Sequence, residues 1–370
     1  MISRWHPFRI ISLFGILTLM ASLGLPHIAA GQPAGADGDY FLYAAEHGDT
    51  LIRLSDRYTH DGDNWRKIQQ INNVGEPSKL PVTQALRIPF SMIPEEPSQA
   101  RVGHVAGTAT ANGDPLQTGA TVQEGDIIHT GARAFVTLIM SDGSSVSLPP
   151  SSTVHIERLR VFKKTRLLDS IFTVRDGGLE SSVSPGGAGV GRFEVRTPVS
   201  ITGVRGTQLR VRLHDNGSQS EIIHGKAILD TRDNQRASLN EGQGAATSGT
   251  GHFLGVRALL PAPELSIPER SHGEWVTEVT PVPGATRYLV RVTLDEAGTQ
   301  EIYRATSDTT TVRFTTTQPG KLYVRVRAID QDGVMGHDST QAFVNVAALR
   351  TAFGEIIRST FGTAIFLRAF

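Results

Sequence analysis

A chain of 370 residues has room for two or three domains. Its 36 Lys and Arg balance 36 Asp and Glu, a formal net charge of zero, which argues against a nucleic-acid binder that needs a basic face. Cysteine is absent, which excludes disulfides, thiolate metal sites, cysteine nucleophiles and a cysteine-linked lipid anchor. The first element in chain order is an N-terminal run. Arg4 and Arg9 give a basic start, Ile10 to Leu25 is almost wholly apolar, Pro26 breaks the run, and Ala29-Ala30 offers small residues for cleavage. That layout predicts a secretory signal peptide over residues 1–30, with cleavage near Ala30 or Ala36. The competing reading is an uncleaved anchor, but a spanning helix needs ~20 apolar residues and this run is shorter and interrupted.

Residues 31–39 read as a Gly/Pro/Ala linker, and residues 40–92 as one compact unit. In that unit "YFLYAAE" predicts a strand. Asp49 or Thr50 can cap a helix in which Leu51, Leu54 and Tyr58 share a face. "HDGDN" breaks the pattern. Asp63 or Asn64 can cap a second helix, whose Trp65, Ile68 and Ile71 are expected to line the core, and Asn72-Asn73 ends it. Leu86 and Ile88 predict a closing strand before Pro89, giving a βααβ unit of about fifty residues, near the lower limit for a self-stable core.

Prolines and charges mark residues 93–100 as a second linker. From 101 to 251 the chain is a series of short β-rich runs, among them "RAFVTLIM", "STVHIERL", "DSIFTV", "GRFEVRT" and "GTQLRVRL". Turn signals separate them, such as Asp142-Gly143, Asp176-Gly177-Gly178 and Asn216-Gly217. The pattern predicts an all-β sandwich, barrel or roll. Ser184 to Gly191 is too glycine-rich for a strand and reads as a loop. Residues 252–272 form a third linker. Residues 273–346, with "RYLVRVTLD", "TTTVRFTT", "KLYVRVRAID" and "QAFVNVAAL", alternate apolar and polar residues as in a small β-sandwich. The tail, 347–370, has approximate helical spacing at Phe353, Ile356, Ile357 and Phe361.

The compact unit resembles the LysM domain, a carbohydrate-binding module. The resemblance rests on Gly48-Asp49-Thr50-Leu51, Tyr58, Trp65 with Ile68, Asn72, and the closing Leu86-Arg87-Ile88-Pro89. It departs before the last strand, where Thr83-Gln84 stands for the usual Gly-Gln. The resemblance implies binding of N-acetylglucosamine-containing polymers, peptidoglycan in bacteria, in a shallow groove. Gly48, Asp49, Thr50 and Leu51 would form one wall, and Asn72, Asn73, Val74 and Gly75 the other. Acetamido methyls suit apolar side chains, and amide groups suit loop backbone.

The middle block resembles the FecR domain, a periplasmic module. Its pattern is present as Gly125, Asp126, Thr130, Gly131, Asp142, Gly143, Ser144, Thr197, Pro198, Gly206, Thr207, Glu241, Gly242 and Gln243. Most of these are turn-makers, so each is expected to be scaffold rather than site. FecR-type sigma regulators carry a folded segment before their anchor, whereas only Met1 to Arg9 precede the apolar run here. The last block is similar to a fibronectin type III-like sandwich, a family of spacers and protein contacts. One basic cluster, Glu157 to Leu168, reads as a solvated strand whose lysines discourage edge pairing.

The fold expected is therefore multidomain and mainly β: a small βααβ module, an all-β middle domain and a C-terminal sandwich. No Ser-x-x-Lys, His-Glu-x-x-His or His-x-His occurs, and the twelve histidines are scattered singly. We expect a non-enzyme with no catalytic residues, no metal and no cofactor, exported to the periplasm or cell envelope. Its expected partners are peptidoglycan and an envelope protein, with membrane contact only if the N-terminal segment is uncleaved. The alternative is an envelope signalling regulator retained by that anchor; a hydrolase is a third possibility, since sequence cannot exclude two working carboxylates.

Overall fold

The structure is a computed structural model. It describes residues 33–37, 39–82, 85–165, 167–182, 191–214 and 217–345, and 347–348, 351, 355, 357–360 and 366–367 of the tail. The expected signal peptide, Thr83-Gln84, Asn216, most of the glycine-rich loop and most of the tail lie outside those residues. No helix among the described residues is long and apolar enough to cross a membrane. The protein is multidomain and mainly β, with three large hydrophobic clusters.

The small unit has the expected βααβ order. Tyr40–Ala44 pairs antiparallel with Ala85–Pro89, and the helices Leu51–Tyr58 and Trp65–Ile71 pack on that pair. Leu51, Leu54 and Tyr58 are buried on one face, as the i, i+3, i+7 spacing requires. Thr50 caps the first helix, its Oγ1 accepting from the Arg53 N–H at 3.2 Å. The second helix is capped differently from the expectation. A 3₁₀ turn, Gly62–Asn64, leads into it, and the capping side chain is Asp61, accepting from Asp63 N–H at 2.9 Å.

The second helix also buries less than its spacing promised. Ile68 is fully buried, but Trp65 is only partly covered, with the Arg66 guanidinium 4.7 Å from its ring, and Ile71 is exposed. The helix is only 7 residues long, so one turn meets the core and its ends do not. Trp65→Ala is accordingly expected to cost less than the ~3–5 kcal/mol of a fully buried aromatic, and chemical denaturation should show a cooperative transition that persists.

The stretches read as linkers contain paired strands. Pro33–Asp37 adds a strand beside Tyr40–Ala44. Glu95–Pro97 pairs with Thr153–Phe162, and Gln99–Ala106 starts directly after it. Phe253–Ala258 pairs with Gln243–Thr247, and Glu269–Ser271 with Glu274–Glu278. Prolines suit such short edge segments, so their presence did not exclude strand.

Among the described residues, 16 strands join in one hydrogen-bonded network centred on the middle block. Its spine is the hairpin of Ser200–His214 and Gly217–Thr231. Asp142-Gly143 makes the expected tight turn, with Gly143 at φ +85° and the Asp142 carboxylate accepting from Ser144 N–H at 2.9 Å. Asp176-Gly177-Gly178 is not a turn. The 15-residue strand Leu168–Ser182 runs through it and changes partners there, pairing with Thr153–Phe162 up to Asp176 and with Ser200–His214 from Gly177. At Gly177, φ is +69° and a Cβ would meet Ser151 and Ser152 within 2.6 Å, so both conformation and space call for glycine.

The basic cluster is not a solvated edge. Thr153–Phe162 is paired on both sides, and its charges are paired as well: Arg158 with Glu95 and Asp169, Arg160 with Glu124 at 2.7 Å, Lys163 with Glu96 at 3.6 Å. Phe162 and Leu167, at the tip of this hairpin, enter the core of the small unit, where Phe162 stacks on Phe90 with centroids 4.1 Å apart.

The last block is a sandwich of a three-stranded and a four-stranded sheet closed over Trp275, Phe314, Val324 and Phe343. Its arginine-bearing face does not meet solvent: Arg291 and Arg327 are 2% and 1% exposed.

Candidate functional site

The loop after Tyr40–Ala44 is shaped by Asp49. Its carboxylate accepts from the Tyr43 hydroxyl at 2.8 Å and from Glu46 N–H at 2.8 Å. Burial, reinforced by that Asp49 contact, pushes the Tyr43 hydroxyl far above its ordinary range, so it stays a donor. Gly48 reverses the chain at φ +88°, which a side chain would strain although space is open there. Arg53 Nη1 donates to Gly48 O at 3.4 Å, and Thr50 starts the helix.

The facing loop begins at Asn72. Its side-chain amide donates to Ile68 O at 2.8 Å and Arg87 O at 2.9 Å, and its Oδ1 accepts from Arg87 N–H at 2.7 Å. Asn73 takes a left-handed φ of +48°, which Asn tolerates, and is exposed. Val74 turns inward at 8% exposure, its carbonyl accepting from Gln69 Nε2 at 2.9 Å. Gly75 is exposed, with open space where a Cβ would stand.

One backbone hydrogen bond, Leu51 N–H to Pro77 O at 2.9 Å, joins the two loops. The eight residues picked from the sequence therefore fall on two segments that meet, but with unequal parts to play. Leu51 is fully buried and Asp49 nearly so, which leaves both to act through backbone or by shaping the loop. Leu51 does not present an apolar side chain to a ligand as the groove picture expected, because helical spacing directs it to the core with Leu54. Asn72 spends its amide on the fold. Gly48, Asn73 and Gly75 are the exposed members, with Thr50 partly so.

Two residues the sequence reading missed belong here. Ile52, 49% exposed, follows Leu51 on the solvent side of the helix. Its signal was available, since an apolar residue stands off the buried 51/54/58 stripe. Glu46 keeps Oε1 buried without a hydrogen-bond partner among the described residues; no sequence pattern marks that. The small unit docks on the middle block elsewhere, through Phe90 on Phe162, Asp39 with Arg192 at 3.1 Å, and Lys164 Nζ to Asp56 O at 3.1 Å.

A cavity of about 440 Å³ lies along that docking seam, lined by Tyr40, Phe90, Phe162, Arg158 and Arg192 among others. Its arginines are committed to the buried Asp169, Arg192 at 2.7 and 2.9 Å. Three of the middle block's pattern residues make contacts within the fold. The Asp126 carboxylate accepts from Gln123 N–H and Asn112 Nδ2, both at 2.8 Å. Thr130 is fully buried, donating to Pro149 O at 2.6 Å. The Gln243 side chain accepts from Asn240 N–H at 2.8 Å. No group of three or more His, Asp or Glu among the described residues is placed to hold a metal ion.

Comparison with known proteins gives two matches to family models, the LysM domain over residues 46–89 and the FecR protein over residues 126–227. No curated protein matches the chain. Among solved structures, similarity extends to a proposed anti-sigma factor from Parabacteroides distasonis, at 16% identity and TM-score 0.29, over 36% of this chain and 59% of that one. It extends also to the extracellular domain of a proposed one-component system from B. thetaiotaomicron, at 9% identity and TM-score 0.16, over 59% of this chain and 36% of that one. The chain thus spans about 59% of the anti-sigma structure's length.

Proposed function

From a chain in which a LysM domain is followed by a FecR domain, we propose a non-catalytic protein of the cell envelope that holds peptidoglycan through the LysM groove. In this reading the two β domains present a protein-contact or sensory surface. The observation that carries it is the pair of loops tied by Leu51 N–H and Pro77 O, exposed at Gly48, Ile52, Asn73 and Gly75, while the module docks through Phe90. Acetamido sugars are neutral, so backbone amides and the Ile52 side chain suit them better than a charged cleft would.

The test is co-sedimentation of the full mature chain with purified sacculi. Ile52→Asp with Gly75→Asp should reduce pelleting at least tenfold and leave circular dichroism unchanged, because both positions are exposed. Wild-type pelleting should weaken little between low and high salt, since screening acts on charge and not on neutral sugar contacts. Undiminished pelleting of the double variant would overturn the groove assignment. Leu51→Asp is unsuitable for this purpose: a charge in a fully buried position would unfold the module.

Export belongs to the same proposal. Pro33–Asp37 pairs with Tyr40–Ala44, so cleavage after Ala36 would remove most of a strand, whereas cleavage after Ala30 keeps it. N-terminal sequencing of envelope material is expected to read from Gly31. An intact Met1 would instead support the anchored-regulator alternative.

A further inference from the structure

Where the middle sheet meets the sandwich, two charged layers face each other. On the sandwich, Arg304, Arg291 and Arg325 are direct cross-strand neighbours, an arrangement that like charges disfavour. On the middle sheet, Glu180, Arg210 and Glu221 stand side by side across three strands. Arg327 binds Glu180 with two hydrogen bonds of 3.1 Å and Asp338 with one of 2.9 Å. Arg291 reaches Asp338 at 3.0 Å, and Arg304 reaches Glu301 at 2.7 Å. Arg212 binds Glu221 at 2.6 Å, and Arg325 lies 3.5 Å from Asp338.

The charges do not cancel. Among the described residues of this cluster, six arginines, 210, 212, 291, 304, 325 and 327, meet four carboxylates, 180, 221, 301 and 338, an excess of two positive charges with little access to water. Asp295, in the neighbouring loop, turns its carboxylate onto Thr299 and Gln300 instead. Burial, with the neighbouring Arg327, pushes the Arg210 guanidinium down to about 10.

Between these layers lies a cavity of about 50 Å³, lined by Arg291, Arg325, Ser147 and Ser181 and also by the carboxylate-bearing Glu180 and Asp338, among others. Three of those residues each keep a buried polar atom without a hydrogen-bond partner among the described residues: Ser181 Oγ, Arg291 Nε and Arg325 Nε. Arg291 is 2% exposed and Ser181 3%. The volume exceeds the ~10–15 Å³ that a single enclosed water needs, so the space is large enough for a small occupant.

We propose that this cavity binds one inorganic oxyanion of the phosphate or sulfate class, held by Arg291, Arg325 and the Ser181 hydroxyl, and that the ion locks the middle domain to the sandwich. Guanidinium groups suit such a ligand because their N–H donors match oxyanion geometry and they do not lose their charge near neutral pH. Four arginines in the lining, 210, 291, 325 and 327, outnumber its two carboxylates, Glu180 and Asp338, and so favour an anion over water.

The test uses the full mature chain and inorganic phosphate at constant ionic strength, with chloride as the compensating ion. Calorimetric titration is expected to show one saturable site. The unfolding temperature should rise by about 5 °C at a hundred times Kd. Ser181→Ala and Arg325→Gln, which leave the Arg327–Glu180–Asp338 contacts in place, should each weaken phosphate at least tenfold. Absence of saturable heat together with a thermal shift no larger than in chloride would overturn the proposal, as would unchanged phosphate affinity in both variants.

Discussion

Asp338→Ala is expected to destabilise the protein by about 3–5 kcal/mol, the range for breaking a buried ion pair from one side. Asp338 accepts from Arg327 at 2.9 Å and Arg291 at 3.0 Å, with Arg325 at 3.5 Å. Removing it leaves those guanidinium groups between two sheets with less countercharge. Urea unfolding followed by tryptophan fluorescence would measure the loss, since Trp275 lies in the same sandwich. A change below about 1 kcal/mol, the level of a surface pair, would show that the cluster is hydrated.

The same carboxylates set a pH dependence. The surrounding arginines hold Asp338 and Glu180 well below the usual carboxylate range despite burial, and the Arg160 hydrogen bond holds Glu124 down at about 2. A depressed folded-state pKa means the unfolded chain binds protons first as pH falls. The stabilisation is therefore complete above the unfolded value of about 4 and is lost as pH falls through the folded values. Stability should be level near neutrality and decline below about pH 4, and Asp338→Ala should decline less steeply.

Phe162→Ala is expected to cost about 3–5 kcal/mol, as fully buried aromatic truncations do. Its effect should fall on a different part of the chain from the substitution. Phe162 is 2% exposed, belongs to a strand of the middle block, and fills the core of the small unit against Phe90. Amide exchange should speed up at Leu54 and Ile68, in the helices across the seam. If exchange rises only within residues 153–182, the module's core is complete without the hairpin. For the same reason, deleting residues 40–92 would strip cover from Phe162 and Leu167, so point substitutions are the better test of the groove.

Much of the small unit was legible because its signals are local. Thr50 caps the first helix through its own side chain, and Leu51, Leu54 and Tyr58 fall on one face from spacing alone. The two segments of the candidate groove were legible too, from the turn at Gly48-Asp49 and the exit at Asn72-Asn73. Which side chains those segments present was not. Leu51 and Val74 turn inward, and Asn72 bonds to Arg87 fifteen residues on, a contact set by strand pairing.

The sequence by itself determined the elements of the small unit, the β character of the later blocks and the turn at Asp142-Gly143, because period-2 and 3.6-residue patterns, glycine at positive φ and capping oxygens act within a few residues. Only the tertiary structure decided what each polar face meets. "VRVT" and "KLYVRVRA" alternate as a half-solvated strand does, yet their arginines face Glu180 and Asp338 from elsewhere in the chain. "RVFKK" read as a solvated edge, yet it is paired on both sides and completes a neighbouring core. Alternation records which residues share a face. It carries no information about whether water or another sheet covers that face, because both a hydrated charge and a buried, paired one satisfy the same requirement for a polar partner.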